Sequence, residues 1–264
     1  MGWVSRPVQS VERAAAVLRL LATGRDGVAL GEVAGSLGLA KPTVHGLLRT
    51  LVDVGFVDQD GATGRYRLLP DALGTSDVRV DANELRARAL NWADPLAART
   101  GQEVRVGVLD GAVVRVVHHV FRPDDTAQTL RTGQLLPAHA TALGKVLLAF
   151  DAHAGAAAGG QDHDLLTPRT LWRGRVLARC LGEVRVIGWA LAASEHRMGE
   201  ASIAAPIRGH GGLVVGAIGV SGEQDRLCTS AGRARQTLVD QVRRAAVSVG
   251  ADLAQNRREA QSRR

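Results

Sequence analysis

His139 and Lys145 in the run LPAHATALGK invite a catalytic reading, and Gly144-Lys145 invites comparison with a phosphate loop. The comparison fails on spacing. The loop's first glycine would fall at position 139, which is histidine, and Val146 stands where the motif needs Ser or Thr. Ser221 in Gly-Val-Ser-Gly is one residue out of step with a nucleophile elbow. His118 and His119 are adjacent in a strand-like run, so they point to opposite faces and cannot jointly hold a metal. The remaining histidines lack ligand spacing. Cys180 and Cys228 read as buried fillers, and His139 as a structural or pocket residue. No catalytic residue, metal site or cofactor is expected.

A second group of residues suits recognition. Lys41, Thr43, His45, Gly46, Arg49 and Thr50 form the polar face of a helical run and carry the donors that phosphates and base edges accept. The elements that would position this face lie in Leu30–Arg49, LGEVAGSLGLAKPTVHGLLR, which has the pattern of a helix-turn-helix. Ala34 falls where two helices cross tightly, and Gly38 falls in the turn, where a positive φ is cheap only for glycine. Val33 and Leu37 give the first helix an apolar face, and Val44 and Leu47 do so for the second. Pro42 is tolerated in the first turn, whose N–H groups have no helical partner. A hairpin of helices buried in a core shares the apolar spacing. The coincidence of small residue, turn glycine and two apolar positions favours DNA reading.

Flanking segments extend the pattern. Ser10 is placed to cap a helix over Val11–Ala22, with Val11, Ala14, Val17, Leu18 and Leu21 on one side. Gly55–Gln59 reads as a strand, Asp60–Gly64 as a turn and Arg65–Leu69 as a return strand. A hairpin after a recognition helix is a wing, and Arg65 near its tip would meet a phosphate or the minor groove, or stay solvated. A winged helix-turn-helix over residues 8–72 is predicted.

The bulk numbers bound the rest. A chain of 264 residues with 45% apolar content suits two globular domains. The net charge of +7 is weak evidence for DNA, because residues 1–75 carry 8 basic and 7 acidic side chains. Two isolated cysteines, no apolar run of membrane length and no signal-peptide pattern lead to an expectation of a cytoplasmic protein without membrane contact.

Gly74–Asp81 reads as a polar connector and Glu84–Thr100 as a helix linking the halves, together a linker over 73–100. Val104–Val108 and Val113–Val120 read as strands around an Asp110-Gly111 turn, and Arg122–Gln134 as a polar stretch holding another short strand. Thr141 is placed to cap a helix ending at Phe150. Asp151–Asp164 reads as a loose loop, and Thr167–Gly182 as largely helical. Ser202–Ile207 and Leu213–Ser221 form a hairpin, and Arg233–Gln255 closes the chain with a helix. Strands in hairpins with helices on one side predict an α+β ligand-sensing domain over 101–256.

VQSVERAAAVLRLL, LGEVAGSLGLAKPTVHGLLRTLVDVGFV and GRYRL, followed in order by LPAHATALGKVLLAF, LTPRT, EASIAAPI and GAIGVSG, resemble the IclR family of bacterial transcription regulators over about residues 6–255. Within it, ELRARALNWADPLA and VVHHVFRPDD resemble the glycerol-operon regulators of actinomycetes. The resemblance implies a homodimer or homotetramer whose winged helices grip a palindromic operator in double-stranded DNA. It also implies a GAF-like domain with an antiparallel sheet that senses a small metabolite, glycerol or glycerol 3-phosphate. The pocket residues it carries over are Ala142, Leu143, Ser202, Gly219 and Ser221. Some members have an acidic residue where Ala192 stands, serine at Gly219 and cysteine at Ser202, so this pocket differs in its hydrogen-bonding groups. The expected function is a repressor relieved by a metabolite. The alternative is a small-molecule enzyme or sensor whose N-terminal helices serve protein contacts.

Overall fold

The computed structural model describes residues 8–24, 27–69, 82–124 and 126–262. They fall into two units divided at Val78. The connector expected at Gly74–Asp81 lies outside the described residues.

The first unit contains α1 (Gln9–Thr23), α2 (Leu30–Leu37), α3 (Lys41–Asp53), β1 (Val57–Gln59) and β2 (Tyr66–Leu68). Val17, Leu21, Val33, Ala34, Val44, Leu48 and Leu51 make its core with Val57 and Tyr66. Val44, Leu48 and Leu51 follow the i, i+4, i+7 rule, so Leu48 lines the buried stripe and Leu47 is only half-buried beside it. Gly38 ends α2 in the left-handed region at φ 63°, as the turn requires. Ser10 does not cap α1. Val8 holds the N-cap position with no side-chain hydrogen bond, and Val11, expected on the buried side, is exposed. β1 and β2 pair antiparallel with Val57 opposite Leu68, and Val28 joins them through two 2.8 Å hydrogen bonds with Tyr66.

The second unit is built on a six-stranded sheet: β3 (Glu103–Asp110), β4 (Val113–Val120), β5 (Leu135–Pro137), β6 (Ala190–Ala193), β7 (Glu200–Arg208) and β8 (Val214–Glu223). All pairs are antiparallel, in the order β5-β4-β3-β8-β7-β6. Its helices are α4 (Ala82–Thr100), α5 (Ala142–Phe150), α6 (Ala152–Gly160), α7 (Gly174–Ile187), α8 (Gln224–Leu227) and α9 (Gln236–Ser262).

Helices cover both faces of this sheet, not the single face expected. On one, α4 and α9 pack around Leu85, Leu96, Ile203, Ile218 and Val242. On the other, α5, α6 and α7 pack around Val146, Leu181, Ala204 and Ala217. The reason is in β7, where Ile203 to Ile207 are apolar on both sides of the pleat, the mark of a strand covered twice. The helix expected to link the halves is thus a layer of the second unit, where Trp92 Nε1 donates to Asp252 Oδ2 of α9 at 2.8 Å.

Three further expectations are corrected. Asp151–Asp164 is not a loop: Asp151 accepts from the Ala154 N–H at 2.8 Å and caps α6, whose alanines favour helix over coil. The helix expected from Thr167 begins only at Gly174, because the Thr167 and Thr170 hydroxyls bond the Ser194 and Glu195 carbonyls and hold 167–170 as a turn. The strand sought in 122–134 lies just beyond it, as β5. β6, a run of alanine and leucine without β-branched residues, had no local strand signal. Among the described residues no helix is long and apolar enough to cross a membrane.

Candidate nucleic-acid interface and ligand pocket

On α3 the core stripe fixes what remains outside. Lys41, His45, Gly46, Arg49 and Thr50 are exposed and Thr43 is half-buried. Lys41, His45 and Arg49 make no hydrogen bond or ion pair with any described residue. Thr50 Oγ1 donates to the Gly46 carbonyl at 2.9 Å, which leaves its oxygen able to accept. A Cβ on Gly46 would meet nothing within 4 Å, so nothing in its own unit requires glycine there. Mid-helix glycine is nevertheless destabilising, by roughly 0.5–1 kcal/mol relative to alanine. A cationic face with its donors unspent and a bare backbone patch at its centre is chemically suited to a polyanion that approaches closely.

Arg65 lies near the hairpin tip, and its carbonyl accepts from the Asp60 N–H across the turn at 2.9 Å. It directly precedes β2 and turns towards α2, with Nη2 3.1 Å from Glu32 Oε1 and Nη1 3.4 Å from the Gly27 carbonyl. Glu32 also accepts from the Ala29 N–H at 2.9 Å, half of a capping box. Arg67 pairs with Asp58 at 2.7 Å. At the turn, Asp60 accepts from the Ala62 and Thr63 N–H groups at 2.9 and 2.8 Å. The Arg65–Glu32 contact ties the wing to α2, and the Arg67–Asp58 pair and the Asp60 bonds hold the hairpin itself.

In the second unit a narrow cavity of about 30 Å³ opens between α5 and the sheet. Leu143, Ser202 and Ser221 line it, with Ala192, Thr141 and Arg105. Ala142 and Gly219 stand behind this lining. The Ala142 N–H donates to Ser202 Oγ at 3.2 Å, which aims the serine at the start of α5. A Cβ at Gly219 would sit 2.5 Å from the Ile203 carbonyl, so close strand pairing, not ligand contact, accounts for glycine there. Thr141 caps α5 as expected, accepting from the Gly144 N–H at 3.3 Å. Gly144 is needed for packing: a Cβ would lie 2.2 Å from the Ala138 carbonyl.

His196, Arg197 and Glu200 also line the cavity, and they and Arg105 are the residues sequence reasoning missed. The available signal was Val104-Arg105-Val106. With Val104 and Val106 in the α4–α9 core, strand alternation points Arg105 at the opposite, also covered, face. Arg105, Arg197 and Glu200 also border a wider compartment of about 230 Å³, together with Arg122 and Arg131.

The groups that invited a catalytic reading are structural. Lys145 is 1% exposed; its Nζ donates to Glu195 Oε1 at 2.6 Å and to the Leu191 carbonyl at 3.1 Å. Burial, outweighing the attraction of Lys145, pushes the Glu195 carboxyl above its usual range. His139 Nε2 lies 3.1 Å from the Asp164 carbonyl and its ring stacks on His163 at 4.7 Å, with burial depressing its pKa. Burial likewise raises the Cys180 and Cys228 thiols, which keeps them from the reactive thiolate form. His118 sits opposite Val106 and His119 opposite Arg105, on the two faces of the sheet. Among the described residues no group of His, Cys, Asp or Glu is placed to hold a metal.

The profile of the IclR helix-turn-helix domain matches residues 10–61, and that of the bacterial transcriptional regulator IclR C-terminal domain matches 78–251. The glycerol operon regulatory protein of Streptomyces coelicolor is 47% identical over 254 residues, covering 96% of this chain and 100% of its own. Its namesake from Streptomyces griseus is 45% identical with the same coverage. The crystal structure of a transcriptional regulator from Rhodococcus sp. RHA1 is 30% identical, covers 94% of this chain and 99% of its own, and superposes with a TM-score of 0.60. The exposed helix-turn-helix, the sandwiched antiparallel sheet and these likenesses agree: the chain belongs to the IclR family of DNA-binding transcriptional regulators.

Proposed function

We propose that this regulator is a cytoplasmic repressor of a glycerol-type catabolic operon and that a small metabolite releases it. The observation that carries the DNA half is the α3 surface, where the side chains of Lys41, His45 and Arg49 spend none of their donors on any described residue while Gly46 leaves the backbone bare between them. Thr43 and Thr50 flank that patch and add hydroxyls for phosphate or base contact. Arg65, held by Glu32, serves chiefly to set the wing beside α2.

Two copies of the chain, as a homodimer or within a homotetramer, would place their α3 helices in major grooves about one helical turn apart on a palindromic operator. The metabolite half rests on the cavity at Ser202 and Ser221, beside α5. A ligand there needs a coupling of only about 1–3 kcal/mol to change operator affinity by roughly 5- to 150-fold. The glycerol assignment is carried by the names of the Streptomyces relatives.

A gel shift with DNA from upstream of the chain's own gene tests this. Retardation that glycerol or a glycerol metabolite relieves supports the reading. Indifference to that DNA, or retardation no such metabolite alters, counts against it.

A further inference from the structure

The missed residue Arg105 bears on what the cavity accepts. Its side chain is 13% exposed, so a guanidinium has been taken out of water. One Nη donates to Glu103, but Nε is buried and has no acceptor. Glu103 is not a dedicated counter-ion either. Its other oxygen lies 3.2 Å from His119 Nε2. His119 Nδ1 accepts the Arg131 N–H at 3.3 Å, which leaves Nε2 carrying the proton and donating to Glu103.

Among the described residues, Glu200 also attracts Arg105, but the other charged groups around the two neighbouring spaces are taken up with one another. Arg122 pairs with Asp124, and Glu223 with Arg226 at 3.2 Å. Glu200 faces Arg197 at 3.8 Å. Arg131 has no ion pair among the described residues. Among the described residues the unspent charge beside the cavity is therefore positive, on Arg131, and the buried Nε of Arg105 in its lining lacks an acceptor. Buried polar groups in folded proteins are nearly always satisfied, and a buried donor without an acceptor is costly.

We infer that the effector is a small hydroxylated anion, its acidic group received by Arg105 and its hydroxyls by Ser202 and Ser221, and that a neutral polyol is a poor substitute. This rests on the reading of the cavity as the effector site. A carboxylate or phosphate oxygen supplies what Nε lacks with a bond charged on both sides, whereas a neutral hydroxyl supplies a weaker one. The inner space of about 30 Å³ admits little more than a hydroxylated tip, and the wider compartment beyond Arg105 houses the rest.

Calorimetric titration of the full chain with glycerol, glycerol 3-phosphate and glycerate at constant ionic strength tests the inference. At least one of the two anions is expected to bind about tenfold or more tightly than glycerol, the scale of one hydrogen bond to a charged group. Arg105→Gln should lose most of that advantage and Arg105→Lys part of it, with both variants checked for unchanged far-UV circular dichroism. Glycerol binding as tightly as the anions, binding of none of the three, or anion binding untouched by Arg105→Gln would overturn the inference. Ser221→Leu, which fills the cavity, separates the two levels. If it leaves binding intact, the cavity reading itself fails. If it abolishes binding while Arg105→Gln does not, only the anion assignment fails.

Discussion

Lys145 and Glu195 meet at 2.6 Å inside the second unit, joining α5 to the segment that follows β6. That segment holds Ser194 at φ 54°, with Ser194 Oγ donating to Gln224 Oε1 at 2.6 Å and accepting the Gly199 N–H at 2.9 Å. It also carries His196 and Arg197 to the cavity. The ion pair therefore anchors one wall of that cavity. Removing one partner leaves a buried charge, so Lys145→Ala is expected to cost about 3–5 kcal/mol, whereas replacing the pair together by Lys145→Met and Glu195→Leu costs far less. Urea unfolding followed by the fluorescence of Trp92, Trp172 and Trp189, all in this unit, measures both. Equal losses from the single and double replacements would show that the charges do not act as a pair.

The Arg49 side chain on α3 has no hydrogen bond or ion pair among the described residues. Arg49→Ala should weaken operator binding and lower the slope of log affinity against log salt by about 0.9, the share of one phosphate on B-form DNA. Its thermal stability should not change, since no contact is lost. A salt series with an unaltered slope removes Arg49 from the phosphate contacts.

Gly46→Ala separates folding from function. With nothing within 4 Å of the new methyl, the helix should gain roughly 0.5–1 kcal/mol. The methyl would stand between α3 and DNA, so operator affinity should fall while the melting temperature rises. An affinity that rises with stability would place the DNA elsewhere.

Glu103 gives a pH signature. Burial pushes its pKa up, but the His119 hydrogen bond and the charges of Arg105 and Arg131 outweigh it and hold the carboxyl below the ordinary 4.5. Below that ordinary value the unfolded chain binds the proton first. The stabilisation is complete above it and is lost as pH falls through the folded-state pKa. The stability difference between wild type and Glu103→Gln should therefore shrink on acidification below about pH 4.5. A difference constant with pH would mean that Glu103 is not held ionised.

The helix-turn-helix was legible because each of its signals is local. Gly38, Ala34 and the α3 stripe act within a few residues of one another, and only the exchange of Leu47 for Leu48 needed the packed structure. The second unit was less legible because its determinants are distant in sequence. Whether Arg105 is wet or buried depends on α5, which begins 37 residues later and covers that face. The alanine-rich α6 and β6 carry weak local preferences that neighbours decide. The pairing of Arg65 was not legible because its partner Glu32 lies 33 residues away. Ser202 and Ser221 were found by resemblance, and the cavity brings them together because β7 and β8 pair with these two residues directly opposite.

The central claim is that the free face of α3 lies in a DNA groove. Footprinting of the DNA upstream of the chain's own gene, with wild type and with a Lys41→Ala, His45→Ala, Arg49→Ala variant of unchanged circular dichroism, tests it most directly. A palindromic protected segment is expected for the wild type and none for the variant at the same concentration. An unchanged footprint from the variant would contradict it.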